Sequence, residues 1–392
     1  VDPGAATDAR PVAPSVAPAV LVGEGPAGTR VVDNGVLRLV VDADGSITSV
    51  VDLASSREVV PTGEILARLH LRRDIPSDWD AWNTDLADVD SGEILTSAES
   101  VEVSADEGGA LVRVVRAHGA STFTQELRLA AGSRTLDITT AVDWRERHKL
   151  LKLEFPLALL ADQAQSEVQF GHVTRPIHTN TSWDVARFET VALRWVRVAE
   201  GDFGVAVAND ETYGHSFRRL HGADGPFVEV GESLLRAPTA PDPDADQGHH
   251  VLRSSVVVGA ATEDAVREGY RLNMPLRTVT GGDGVPALVS TREGSGVIEA
   301  VKLADDGSGD VVVRLYESLG RRGRTRVALG LRAGSVEGVD GGERPLGDAG
   351  SDPVGCDGPR PGAVHWVEGT QDVEVELGPF QIATLRIRPE QH

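Results

Sequence analysis

Between Arg30 and Asp52 the chain reads "RVVDNGVLRLVVDADGSITSVVD". Asn34-Gly35 and Asp44-Gly45 separate short runs of Val, Leu and Ile. Asn, Asp and Gly accept the positive φ of tight hairpin turns, and β-branched side chains stiffen an extended backbone. Such text specifies a ladder of hairpins. "ALVRVVRA" (110–117), "TFTQELRLA" (122–130) and "TLDITTAVD" (135–143) extend it, alternating apolar and polar positions with turn residues between them. A period of two predicts strands with one buried and one wetter face. "LLKLEFPL", "EVQFG", "ETVALRWVRVA", "FGVAVAND", "FVEVGESLLRA" and "VLRSSVVVGA" carry the pattern to residue 260. The expected fold is all-β and antiparallel.

One stretch has helical spacing. "TEDAVREGYRLN" (262–273) offers Thr262 as N-cap, acids in its first turn, Ala265, Val266 and Tyr270 on one face, and Pro275 as a stop. A Gly-rich segment (279–290) then leads to "GVIEAVKLA", "DVVVRLYESLG", "TRVALGL", "QDVEVEL" and "PFQIATLRIR". These predict about five to seven further strands, interrupted by a Gly/Asp/Pro stretch at 334–364. The expected organisation is a Pro- and Ala-rich arm (1–24), a large β-sandwich (25–278) and a smaller one (279–392).

Composition narrows the partners. The formal net charge of −22 argues against nucleic acid or an anionic membrane, both of which need a basic footprint. The single cysteine, Cys356, permits no intrachain disulfide and fits a reducing compartment. No apolar run is long enough to span a bilayer. The N-terminus lacks the basic and leucine-rich parts of a signal peptide and does not start with Met. A processed or truncated, cytoplasmic product is therefore expected.

Three connections could carry chemistry. Residues 175–189, "RPIHTNTSWDVARFE", crowd His178, Asn180, Thr181, Trp183 and Asp184 together. Polar edges beside an indole face suit a sugar, whose hydroxyls ring an apolar face. The other reading is a capped loop with Trp183 plugging a core. "DIPSDWDAWNTD" (74–85) sets Trp79 and Trp82 among Asp74, Asp78, Asp80 and Asp85. If extended, it points Trp79 and Ala81 one way and Asp80 and Trp82 the other. It reads equally as a surface loop pinned by its aromatics. "LLRAPTAPDPDADQGHH" (234–250) has Asp242, Asp244 and Asp246 at alternate positions, but Gln247 and Arg253 stand where a calcium loop needs Gly and Glu. His249 and His250 are adjacent, so a strand would send only one of them into a metal site. No hydrolase, zinc-protease, P-loop or dinucleotide motif occurs. No catalytic residue and no metal site is assigned to the chain. "NTS" (180–182) matches a glycosylation sequon and is read as coincidence.

"LLKLEFPL…EVQFGHVTRPIHTNTSWDVARFETVALRWVRV…DFGVAVANDETYGH", with "SLLRAPTAPDPDADQGHH", resembles the C-terminal half of α-mannosidases of glycoside hydrolase family 38. "DIPSDWDAWNTD" looks like that family's Asp/Trp-rich loop, and "VVVRLYESLG" and "PFQIATLRIR" look like its terminal β domain. The resemblance covers about residues 25–390 and is nearest the bacterial and cytosolic-type branch. It implies a mutarotase-like supersandwich followed by a smaller sandwich. It also implies an N-terminal barrel, holding zinc and an Asp nucleophile for retaining hydrolysis, and a helical bundle. Neither has a counterpart here. The implied partners are that barrel, that bundle and a mannose-containing saccharide, and association into a homo-oligomer stays open. This chain is expected to be inactive alone and to complete or buttress the active site. Its rim would include Asp80, Trp82, His178, Asn180, Trp183, Asp184, Asp246 and His250. Asn83 departs from the family's usual Asp, and Leu193 from the His that commonly precedes Arg194-Trp195. A free-standing carbohydrate-binding or mutarotase-like module is the alternative, and a purely structural domain the third reading.

Overall fold

A computed structural model describes residues 20–278, 280–281, 287–346 and 364–390. Most of the N-terminal arm, Cys356, part of the Gly-rich segment and much of the Gly/Asp/Pro stretch lie outside the described residues. The described chain is built almost wholly of antiparallel strands, with helices α1 (Leu86–Val89), α2 (Ser182–Val185) and α3 (Thr262–Asn273). No described helix is long and apolar enough to cross a membrane.

Two compact units interleave along the sequence. The first takes the described residues up to Ala158, then Leu220–Glu229 and Leu235–Leu252. The second takes Leu159–Arg219, Val230–Leu234 and the described residues from Arg253 onward.

The first unit opens with Leu21–Glu24, which pairs antiparallel with Arg30–Asp33 inside a five-stranded sheet. Its turns use the residues the sequence supplies. Asn34 is fully buried; its Oδ1 accepts from the backbone N–H groups of Val36 and Leu37 (3.0 and 2.7 Å), and its Nδ2 donates to the carbonyls of Ala130 and Ser133. Gly45 has φ +75°, and a Cβ there would lie 2.5 Å from a Val114 methyl, so both conformation and space call for glycine. Gly109–His118, Ser121–Ala130 and Thr135–Trp144 form a meander. Thr135–Trp144 alternates half-buried and buried residues along its whole length, as a period of two requires. Phe123 and Trp144 meet edge to face in the core at 6.4 Å.

Strand Lys149–Leu157 behaves differently. It pairs with Arg68–Arg73 and is buried on both faces, although its text alternates apolar and charged residues. Glu154 accepts from Arg72 (2.6 Å), His70 (2.9 Å) and Arg68 (3.0 Å), and Arg68 also pairs with Glu229 (2.5 Å) and Glu64. These hydrogen bonds and the arginine charges hold the Glu154 carboxyl far below the usual carboxylate range despite its burial. Period two identifies the strand but cannot tell a wet polar face from a buried ionic one.

In the second unit, Gly171–Pro176 pairs with Gln163–Val168, which pairs with Trp195–Glu200. Phe203–Asn209 follows, and then the Ser254–Val258 part of strand Gly248–Val258. Helix α3 packs Ala265, Val266 and Leu272 against Trp195, Ala206, Ala208 and Val257. Its N-cap is Ala261, not the expected Thr262. The Asp264 carboxylate accepts from the Ala261 N–H (2.9 Å), and this frees the Thr262 hydroxyl to donate to Gln165. Arg194 lies 4.0 Å over the Tyr270 ring while its guanidinium grips Glu167.

From Val289 the described residues form two four-stranded sheets, eight strands where five to seven were expected. Val313, Leu315, Val327, Val373, Val375, Leu385 and Ile387 fill the core that the two sheets share. Ala333–Val339 falls within the stretch read as an interruption. It is an edge strand laddered with Ile382–Pro389, a place where glycines and sparse apolar residues are tolerated.

Candidate functional site

The Asp/Trp-rich loop lies in the first unit. It is not extended. The N–H groups of Trp82 and Asn83 both donate to the Trp79 carbonyl (2.8 and 3.0 Å), closing a turn with Trp79 at φ +60°. The expected alternation therefore fails, and the indoles of Trp79 and Trp82 meet edge to face at 6.5 Å. Both remain largely exposed, at 71% and 67%.

Asp80 faces inward along the loop's base. One carboxylate oxygen, Oδ2, accepts from the N–H groups of Thr239 (2.7 Å) and Ala240 (3.0 Å) and from the Thr239 hydroxyl. The Thr239 N–H is the largest of the influences that lower the Asp80 pKa; His148, 3.9 Å away, adds to them. Asp246 does similar work, accepting from the Arg236 N–H (2.9 Å), while its own carbonyl accepts from His250 Nε2 (2.8 Å).

Arg236 is the clasp that sequence reasoning missed. Its Nε and Nη2 bind the buried Asp74 carboxylate (2.5 and 2.8 Å), and further N–H groups reach the carbonyls of Ala81 and Asn83. Asn83 thus contributes through its backbone carbonyl. The loop presents two indoles on a base fixed by Asp74, Asp80, Asp246 and Arg236.

The His178 loop lies in the second unit. Strand Gly171–Pro176 leads into it, and α2 follows. Thr181 caps α2: its hydroxyl donates to Asp184 Oδ2 (2.8 Å) and accepts from the Asp184 N–H (3.2 Å), while Oδ2 also accepts from the Thr181 N–H (3.0 Å). The Thr181 side chain is the main cause of a lowered Asp184 pKa, with His178 at 3.6 Å and Arg187 at 3.5 Å also contributing. Asn180 is exposed, and Trp183 is not a core plug: 85% of its surface is open. An open cleft adjoins the loop, lined by Arg175, His178, Asp184, Arg187 and Glu189 among others. Arg175 and Arg187 lie within the stretch that attracted attention, but only folding shows that they share a cleft.

The structure therefore gathers the eight named residues into two groups. Asp80, Trp82, Asp246 and His250 belong to the first unit, and His178, Asn180, Trp183 and Asp184 to the second. Among the described residues no group of three or more His, Cys, Asp or Glu is placed to hold a metal ion, so the zinc implied by the resemblance finds no fitting donor set here.

Comparison with known proteins identifies the family. Residues 32–244 match the glycosyl hydrolases family 38 C-terminal domain. Residues 296–385 match the glycosyl hydrolases family 38 C-terminal beta sandwich domain. Human alpha-mannosidase 2C1 is 34% identical over 370 residues, covering 91% of this chain and 33% of the human protein. Alpha-mannosidase G of Dictyostelium discoideum is 33% identical over 314 residues, covering 75% of this chain and 28% of that protein. The chain thus spans about a third of the length of the curated relatives it matches. Among solved structures, an alpha-mannosidase from Enterococcus faecalis V583 shares the fold, with a TM-score of 0.65 at 14% identity over 91% of this chain and 42% of that one. The chain belongs to glycosyl hydrolase family 38, of which it is the C-terminal β portion.

Proposed function

We propose that this chain is the C-terminal region of an α-mannosidase that hydrolyses terminal α-mannosides, and that it completes or buttresses an active site whose reacting groups lie elsewhere in the enzyme. One observation carries the reading: Trp183 stands 85% exposed on a loop whose Thr181–Asp184 cap is closed by three hydrogen bonds. An indole this exposed on a capped loop contributes little to the stability of its own chain. It is pre-organised for a surface brought to it, either a saccharide face or a neighbouring module. The Trp79–Trp82 turn is built on the same plan.

In this reading the zinc and the attacking carboxylate of a retaining hydrolysis belong to the N-terminal barrel. No step passes through a metal on this chain, and the chain alone turns over no mannoside. The residues of this chain position: Asp80 and Asp246 fix one loop, Asp184 and Thr181 the other, and positioning supplies a large share of a reaction barrier. The proposed division is a large sandwich over 25–278 and a small one over 279–392. A cytoplasmic location is proposed with it, resting on the resemblance to the cytosolic-type branch.

The test uses the intact enzyme and an aryl α-mannoside. Trp183→Ala is expected to lower kcat/KM by roughly tenfold or more while the melting temperature holds, because the side chain makes little contact within the chain. Unchanged kcat/KM would remove Trp183 from the proposal. Full turnover by the isolated chain would overturn the proposal altogether. Calorimetric binding of mannose by the isolated chain would favour the free-standing carbohydrate-binding module.

A further inference from the structure

The cleft beside the His178 loop contains a guanidinium with a spare donor. Arg175, near the end of strand Gly171–Pro176, lines it with Arg187 and His178. Nη1 of Arg175 and Nδ1 of His178 are both buried and make no hydrogen bond to any described residue. Buried guanidinium N–H groups are nearly always satisfied in native proteins, so an exception asks for an acceptor. Nor does Arg175 form an ion pair among the described residues. Burial, and after it the charge of Arg187, lower its pKa. Among the described residues Arg187 makes long contacts, to Asp184 at 3.5 Å and to the Pro176 carbonyl at 3.5 Å.

Asp184 and Glu189 also line the cleft, but Thr181 engages the Asp184 carboxylate and the Ser233 hydroxyl donates to Glu189, so Nη1 of Arg175 keeps a spare donor. A carboxylate entering the cleft satisfies that donor. It accepts from the fork of Arg175 in a charge-assisted pair. Two observations identify the supplier. The chain spans only about a third of its curated relatives, so most of such an enzyme lies outside it. Trp183, exposed beside the cleft, is the kind of aromatic anchor that surrounds the buried charge of a protein interface.

We infer that the Arg175–Arg187–His178 cleft seats an acidic side chain supplied by the part of the enzyme outside this chain, with Arg175 as its fork-shaped partner. This rests on the reading of the chain as one portion of a larger family 38 hydrolase, and adds the chemistry by which the portions hold together.

Arg175→Lys, Arg175→Met and Arg175→Glu in the intact enzyme separate this from a local structural role. A docked carboxylate makes the glutamate variant the worst of the three, since it sets like charges face to face. The expected melting temperatures fall in the order lysine, methionine, glutamate, with the glutamate variant roughly 3–8 °C below wild type. If no carboxylate enters, the glutamate variant instead gains Arg187 and His178 as partners, and its melting temperature stays level or rises. That result would overturn the inference. In the 392-residue chain by itself the sign is expected to invert, with the glutamate variant level or raised; an equal fall in chain and enzyme would also overturn it. The readout needs no substrate. An enzyme inert toward α-mannosides would sink the proposed activity and leave this test standing.

Discussion

Replacing Arg236 by Met removes the clasp of the Trp79–Trp82 turn. The side chain makes two charge-assisted bonds to Asp74, whose carboxylate is only 1% exposed, and reaches two turn carbonyls. Breaking one side of a buried ion pair costs about 3–5 kcal/mol, chiefly because the remaining charge is left without a partner. Arg236 itself is 23% exposed, which lets water reach the pair and favours the lower end. The carbonyls of Ala81 and Asn83 lie on a surface turn, where water replaces the lost donor at a cost under about 1 kcal/mol. The expected loss is therefore about 3–4 kcal/mol, read as a lower midpoint in guanidinium with the slope unchanged. A double variant, Arg236→Met with Asp74→Leu, removes the orphaned charge and is expected to recover at least half of that loss. Hydrogen exchange gives a local check. The amides of Trp82 and Asn83, which close the turn on the Trp79 carbonyl, should lose protection before the Thr135–Trp144 meander does. A loss below about 1 kcal/mol, or a double variant no better than the single one, would refute the reasoning, because either means that the buried charge was never dependent on its partner.

Glu154→Ala strips acceptors from Arg68 and Arg72 on the buried face of strand Lys149–Leu157 and should destabilise by about 3–5 kcal/mol in the same assay; a loss within 1 kcal/mol would contradict it. Asp80 has a folded pKa below its unfolded value of about 3.9, so its contribution is present above that pH and disappears as pH falls through the folded value. Asp80→Asn should therefore lower stability at pH 7 and make the acid limb below about pH 4 shallower, which melting curves across pH will show. Gly45→Ala places a methyl 2.5 Å from Val114 at φ +75° and should cost about 1–3 kcal/mol; a neutral result in chemical denaturation would show that the turn relaxes.

Much of the architecture is legible in the text, for reasons visible residue by residue. Turn dipeptides such as Asp44-Gly45 mark positions where only small residues suit the backbone, and the alternation in Thr135–Trp144 matches its burial position by position. The reading weakens where one pattern serves two environments. Lys152 and Glu154 look like a solvated face and are buried, because the strand is covered on both sides. Trp183 reads as a core plug by composition and is exposed, since a capping box rather than an indole closes the turn. For the candidate site, residue types pointed to these two loops but not to their wiring. Asp74 and Arg236 stand 162 positions apart, and no spacing rule links them. Arg175 and Arg187 are near in sequence, but only folded geometry shows that Nη1 of Arg175 finds no acceptor among the described residues.

The order in which the two units claim the chain bears on how it can be dissected. The polypeptide leaves the first unit after Ala158, re-enters it at Leu220 and again at Leu235, and quits it for good after Leu252. A scissile site anywhere from 159 to 252 strands pieces of both units on either fragment, so limited proteolysis there should yield nicked molecules that stay associated instead of two separable products. Gene-level bisection aimed at isolating either half would have to rejoin non-consecutive coding segments, and a simple stop codon will not achieve it.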